Sequence, residues 1–163
     1  MDNADFITRV GDKRYYLKDH LGSMRAVIDD AGSLISAQDY DVWGYLLQDR
    51  TYDSEESVYK FTSKERDEKS EYDYFGARYY DAWIGRWGQV EPLMDKYISI
   101  SPYCYGLNNP VVLIDADGLD LVVGGDKTAV LNDLRSLYTN VEIQNRISSD
   151  NNGLVNFDLR GLD

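Results

Sequence analysis

Few side chains in this sequence are equipped for chemistry, and most of those are acids. The 163 residues hold one histidine, His20, one cysteine, Cys104, and 29 aspartates and glutamates against 17 lysines and arginines, for a net charge of -12. A single cysteine rules out an internal disulfide framework and a multi-cysteine zinc site. A single histidine removes Cys/His metal clusters and restricts any Ser-His-Asp triad to His20 as base. His20 precedes Leu21-Gly22-Ser23 at a strand entrance, where a hydrogen-bonding role outweighs catalysis. Cys104 sits between Tyr103 and Tyr105 with no feature that would activate a thiolate, and reads as a small core residue. Asp115-Ala116-Asp117-Gly118 is, by spacing alone, an ordinary turn, and it lacks the ligand pattern of an EF-hand calcium loop. Glu91 reads likewise as a turn or strand-end carboxylate. Arg78 and Arg86 have acidic neighbours enough that structural ion pairing and catalysis fit equally well.

The elements that must position these groups are short strands. Arg14-Tyr15-Tyr16-Leu17, Met24 to Ile28 and Ser33 to Tyr40 are apolar and β-branched runs separated by Asp19-His20-Leu21-Gly22 and Asp29-Asp30-Ala31-Gly32. Asp can bond forward to the backbone and Gly can take positive φ, so these are hairpin signals in an antiparallel meander. Tyr40-Asp41-Val42-Trp43-Gly44 and Tyr80-Asp81-Ala82-Trp83-Ile84-Gly85 repeat one theme, the second with an extra residue before its glycine. Asp53 to Glu56, which is acidic, and Lys64 to Lys69, which is of mixed sign, are charge clusters expected in solvated turns. The chain has 14 Tyr, and aromatic rings crowd the segment from Tyr72 to Tyr105 at strand spacing, which favours packing over glycan stacking. After Gly118, Leu119 to Val123 reads as a strand. Asp126 caps a helix running through about Tyr138, and Val141 to Ile147 and Leu154 to Leu159 read as a strand pair. The expected fold is therefore mainly β, with a small C-terminal β-α-β-β segment, α+β overall. The acidic balance argues against nucleic acid as a partner. No apolar run is long enough for a membrane span, and the acidic start Met1-Asp2-Asn3-Ala4-Asp5 lacks the apolar stretch of a signal peptide. A soluble chain without a cofactor is expected.

Four ordered blocks then resemble a known family. Asp19-His20-Leu21-Gly22-Ser23-Met24-Arg25 is similar to the "DHLGS-x-R" block of the RHS/YD-repeat family. Phe75-Gly76-Ala77-Arg78-Tyr79-Tyr80-Asp81 with Gly85-Arg86-Trp87 resembles its "GARYYDPxxGRF/W" block. Glu91-Pro92-Leu93 through Ser101-Pro102-Tyr103-Cys104-Tyr105 and Asn108-Asn109-Pro110, then Asp115-Ala116-Asp117-Gly118-Leu119, resemble its closing "DPL…SPYxYxxNNPxxxxDPxGL".

The resemblance implies that residues 1–119 are an RHS repeat-associated core, which plugs one end of a hollow shell of YD-repeat hairpins, and that residues 120–163 begin a variable, effector-type region. It implies a bacterial protein whose parent family is exported or on the cell surface. In many members the core cuts its own chain by aspartic-type chemistry. Carried onto this sequence, the candidate carboxylates are Glu91 and Asp115, the accessory cation is Arg78, and the scissile bond is Leu119-Asp120. Such chemistry needs one protonated and one ionised carboxyl sharing a water, and an arginine to hold the carbonyl. This sequence departs from the pattern twice, with Glu91 where Asp is usual and Ala116 where Pro is usual. The alternative is a structural or interaction module without catalysis. An independent toxin in residues 120–163 is the weakest reading, because that stretch has no histidine or cysteine. Expected partners are the YD-repeat shell of the parent or a related protein, and, with that shell missing, other copies of the chain.

Overall fold

The computed structural model describes residues 4–9, 12–52, 57–96, 100–123, 126–136 and 141–157. The chain forms two compact units: Met1–Tyr74 with Asp81–Gly85, and Phe75–Tyr80 with Arg86–Asp163.

In the first unit, β1 (Ala4–Arg9), β2 (Asp12–Lys18), β3 (Met24–Asp29) and β4 (Leu34–Ala37) form an antiparallel meander in chain order. The strand expected over Ser33 to Tyr40 is thus shorter. One turn design joins β2 to β3 and β3 to β4 and recurs after β4 at Asp41. Asp19 Oδ1 accepts the N–H groups of Leu21 and Ser23, Asp29 Oδ1 those of Ala31 and Ser33, and Asp41 Oδ1 those of Trp43 and Tyr45. In each, the glycine three residues after the Asp takes a φ between +81 and +86. That conformation is strained for any other residue, so Asp-x-x-Gly encodes the turn. Asp81 uses the same oxygen on Trp83 and Ile84, with Gly85 one residue later at φ +65. Under Gly44 lies Phe61, whose ring would stand 2.4 Å from an added Cβ. β5 (Glu65–Arg66) and β6 (Asp73–Tyr74) pair antiparallel, and Arg66 forks onto the fully buried Asp73 at 2.8 and 2.7 Å. Of the charged cluster from Lys64 to Lys69, expected as a solvated turn, Asp67 to Lys69 lie in a turn, whereas Glu65–Arg66 form a strand because Arg66 pairs with the buried Asp73. The cluster at 53–56 lies outside the described residues.

The second unit contains β7 (Tyr79–Asp81) up to Tyr80, β8 (Arg86–Trp87), β9 (Leu113–Asp115), β10 (Leu121–Val123), the helices α1 (Lys127–Ser136) and α2 (Val141–Asn145), and the hairpin of β11 (Ile147–Ser149) and β12 (Val155–Phe157). Asp126 caps α1 through the N–H groups of Thr128 and Ala129. The helix is described to Ser136, so the expected contributions of Leu137 and Tyr138 lie outside the described residues. The strand expected over Val141 to Ile147 is corrected: Val141–Asn145 is helical and the strand begins at Ile147. Pairing of β11 starts at Ile147↔Phe157, and Val141 is 64% exposed. Over Val141–Asn145 the backbone closes its hydrogen bonds internally, as a helix does. The apolar core of this unit joins Leu113 and Leu121 to Val130 and Leu134 of α1 and to Ile147 and Val155 of the hairpin.

Candidate functional site

The site forms where the Gly76-Ala77-Arg78 segment lies against the turn between β9 and β10. Ala77 N–H donates to the Asp117 carbonyl at 3.0 Å. A Cβ on Gly118 would stand 3.0 Å from the Arg78 nitrogen, and one on Gly76 would stand 3.2 Å from the Asp117 oxygen. These glycines let two backbone segments touch, which is what delivers the Arg78 side chain to the turn.

Arg78 is buried, with its side chain 1% exposed. Its guanidinium lies over the Trp87 ring, 4.0 Å from the centroid, within a cluster of Phe75, Tyr80, Trp87 and Tyr105. Its Nε donates to the Gly118 carbonyl at 2.6 Å. Its Nη2 meets Glu91 Oε2 at 2.7 Å and Asp115 Oδ2 at 3.1 Å. Nη1 is buried without a hydrogen-bond partner among the described residues. Glu91 is held by its other oxygen, Oε1, which accepts Leu93 N–H at 3.0 Å, and by its own N–H, which donates to the Pro102 carbonyl at 2.9 Å. Two carboxylates far apart in sequence thus share one nitrogen.

Asp115 divides its two oxygens between two jobs. Oδ1 accepts the N–H groups of Gly118 at 2.6 Å, Leu119 at 3.1 Å and Asp117 at 3.3 Å. This is the Asp-x-x-Gly turn of the first unit again, with Gly118 at φ +83. Oδ2 faces Arg78. Burial pushes the carboxyl up to about 6, against the pull of Arg78 and of the turn N–H groups. A buried carboxylate loses solvation that one cation, shared with a second acid, does not fully replace. A cavity of about 20 Å³ bounded by Arg78, Trp87, Glu91, Cys104, Asp115 and Leu121 adjoins the group, which is room for about one water.

Every site residue carried over from the sequence is therefore found here. Glu91, Asp115 and Arg78 converge, and Leu119-Asp120 is in the same turn. Leu119 N–H donates to Asp115 Oδ1 and to Asp117 Oδ1, and Asp120 N–H donates to Asp117 Oδ1 at 3.2 Å. Arg86 is elsewhere, at 3.4 Å from Asn108 Oδ1. His20 is exposed in the turn between β2 and β3. Cys104 is 8% exposed, and burial pushes its thiol up, as befits a core residue. No cluster of three or more His, Cys, Asp or Glu suited to a metal occurs among the described residues. Sequence reasoning missed the part of Trp87 as the floor under Arg78, although the residue stands in the Gly85-Arg86-Trp87 motif. It also missed the Gly118 carbonyl, a backbone group that no side-chain pattern marks.

A second, half-buried arginine, Arg66, shows what is particular to the first. In the first unit, Arg66 Nη2 donates to the Gly44 carbonyl at 3.0 Å, as Arg78 does to that of Gly118. Its carboxylate is Asp73, however, not the turn residue Asp41. At Arg78 one guanidinium joins the turn aspartate, a second acid and the turn carbonyl.

Residues 3–109 match the family described as Teneurin YD-shell. Salivary gland surface protein 1 of Aedes aegypti is 39% identical over 108 residues, covering 64% of this chain and 3% of that protein. Toxin subunit YenC1 of Yersinia entomophaga is 33% identical over 109 residues, covering 65% of this chain and 11% of that protein. The crystal structure of TcdB2-TccC3 without its hypervariable C-terminal region superposes with a TM-score of 0.59 and 31% identity over 69% of this chain and 5% of that one. This chain spans a small part of the length of each. With well over half of its residues matched, the chain belongs to the YD-shell family, in keeping with the RHS/YD-repeat motifs that it carries.

Proposed function

We propose that this chain is the end element of a YD-repeat shell and that it cuts itself in the turn after Asp115, separating residues 1–119 from 120–163. The observation that carries the reading is the Arg78 guanidinium holding Glu91 and Asp115 together at the turn that contains Leu119-Asp120. Asp115 is neutral below about pH 6 and is then the proton donor. Glu91 accepts a proton from a water, whose oxygen bonds to the Leu119 carbonyl carbon. The carbon–nitrogen bond breaks as Asp115 delivers its proton to the Asp120 nitrogen, leaving a carboxyl on Leu119 and an amine on Asp120. Arg78 stabilises the developing oxyanion. Its present contact is to the Gly118 carbonyl, so the turn must advance by one residue for the Leu119 carbonyl to take that place.

The partner in this reading is the shell of the parent or of a related protein, as one relative is a toxin subunit and another is crystallised as the TcdB2-TccC3 complex. An exported bacterial parent belongs to the same proposal. Without a shell, the exposed Trp83, Ile84 and Val42 favour self-association, read out by sedimentation at high salt.

A purely structural reading is favoured by one observation, the clamp of Arg66 on Gly44, where the same arginine-to-carbonyl contact occurs without a second acid. Intact-mass measurement after prolonged incubation at mildly acid pH decides between them. Fragments 1–119 and 120–163 from the wild type, absent from Asp115→Asn and Glu91→Gln, support self-cleavage. A wild-type chain that stays whole leaves the structural reading.

A further inference from the structure

We propose that residues 120–157 are a docked part of the second unit, held there by strand pairing and a shared apolar core, and that they remain bound whether or not the chain is cut at Leu119-Asp120. The family resemblance implies that the segment after residue 119 is cargo to be released. The packing points the other way.

The core is divided between the two sides of that bond. Leu113, fully buried, lies before it, and Leu121, Val130, Leu134, Ile147 and Val155 lie after it, all at most 5% exposed. Leu93, Ile100, Leu107 and Val112 complete the wall from the N-terminal side, half-buried against the same cluster. The segment after residue 119 is too short to close a core alone. Its buried side chains pack on one another and on the wall that Leu113 and its neighbours provide. Separation would return to water the faces that meet across this wall, which is the main free-energy cost of leaving.

Backbone pairing adds direction to this contact. β10 pairs antiparallel with β9 in the register Leu113↔Val123, Ile114↔Val122 and Asp115↔Leu121. Its other edge is bridged at Val122 to Leu154, and Val123 N–H donates to the Gly153 carbonyl at 2.9 Å. β10 is thus paired on both sides, and cutting the loop before it breaks none of these bonds. Arg135 of α1 closes the far side, with Nε and Nη2 on the Ile147 carbonyl at 3.2 and 2.8 Å. The hairpin itself uses the turn of the first unit. Asp150 Oδ1 accepts the N–H groups of Asn152 and Leu154, and Gly153 takes φ +86. Residues beyond the family match are therefore written in the same turn code as the shell repeats, as expected of a structural continuation.

The test inserts a recognition sequence for a site-specific protease between Leu119 and Asp120 of the full chain, so that the protease makes the cut whatever Asp115 and Glu91 do. Complete cutting is verified by mass under denaturing conditions, and the cut protein is then run on native size exclusion. The two pieces are expected to co-elute at micromolar concentration and to part only as the protein unfolds in urea. Separate elution in native buffer overturns the proposal. In a Val155→Asp version, which places a charge in the shared core, affinity between the pieces should fall on the order of a hundredfold or more after cutting. Undiminished co-elution of that variant would show that the core is not what holds the segment. Neither result bears on self-cleavage, which is read from the uncut wild-type chain.

Discussion

Acid should strengthen the second unit through Asp115, and Asp115→Asn should abolish that response. The carboxyl ionises near 6 in the fold, against an ordinary value of 3.8, because its side chain is 1% exposed. Between those two values the folded chain binds the proton and the unfolded chain releases it. Stability therefore falls as pH rises through the window, and the contribution is fully present below it and lost above it. The gap between the two ionisations corresponds to about 3 kcal/mol. Urea unfolding followed by fluorescence, in a background where Trp43→Phe and Trp83→Phe leave Trp87 alone, reads this unit, since Trp87 is buried against Arg78. Across the window, the urea midpoint of the wild type should fall relative to that of Asp115→Asn by about 1–3 M. Other carboxylates titrate in both proteins and cancel in the difference. A constant separation between the two midpoints across the window would refute the reasoning, because it would mean that Asp115 ionises as readily folded as unfolded.

Arg78→Leu leaves Glu91 and Asp115 buried without their cation, at about 3–5 kcal/mol. A fall in Tm of about 10 °C is expected, partly restored by adding Glu91→Gln, and an unchanged Tm would show that the carboxylates reach water instead. Gly44→Ala and Gly32→Ala share a positive φ, but only the first meets the Phe61 ring, at 2.4 Å against nothing within 4 Å. Both should lose about 1–2 kcal/mol from backbone strain, and Gly44→Ala a further loss of about 1–3 kcal/mol from overpacking, measured by urea unfolding. Leu134→Ala in the core of the second unit should cost about 2–5 kcal/mol in the same measurement. Leu131→Ala, half-buried one turn earlier, should cost less.

Much of the first unit was legible because its turns are local. An aspartate, two free positions and a glycine suffice to close a hairpin, and Asp19, Asp29 and Asp41 do so within the residues that the pattern marks. The trio of Glu91, Asp115 and Arg78 was legible only as a carry-over from motifs, since Arg78 and Asp115 are 37 residues apart and nothing in their spacing brings them together. The tertiary contact depends on Gly76 and Gly118 admitting two backbones to van der Waals distance, and no periodicity signals that. The face of Trp87 beneath the guanidinium was hidden for a related reason. In a run this rich in rings, the sequence does not distinguish the one that carries a charge from those that only pack. The expected strand from Val141 to Ile147 failed over its first part because the ladder to β12 starts only at Ile147, and Val141–Asn145 is helical.

The split duty of the turn aspartate has a consequence for how such a centre arises. In every Asp-x-x-Gly hairpin, one oxygen of the carboxylate is committed to the backbone, so the other is already fixed in direction before any partner is present. Each repeat of this kind is a half-assembled acid site whose orientation comes with the fold. Converting one into a reactive centre then requires no new loop, only an arginine and one more carboxylate at the right neighbour. A chain made of such hairpins can gain or lose chemistry at a given turn by substitution alone, while its scaffold stays the same.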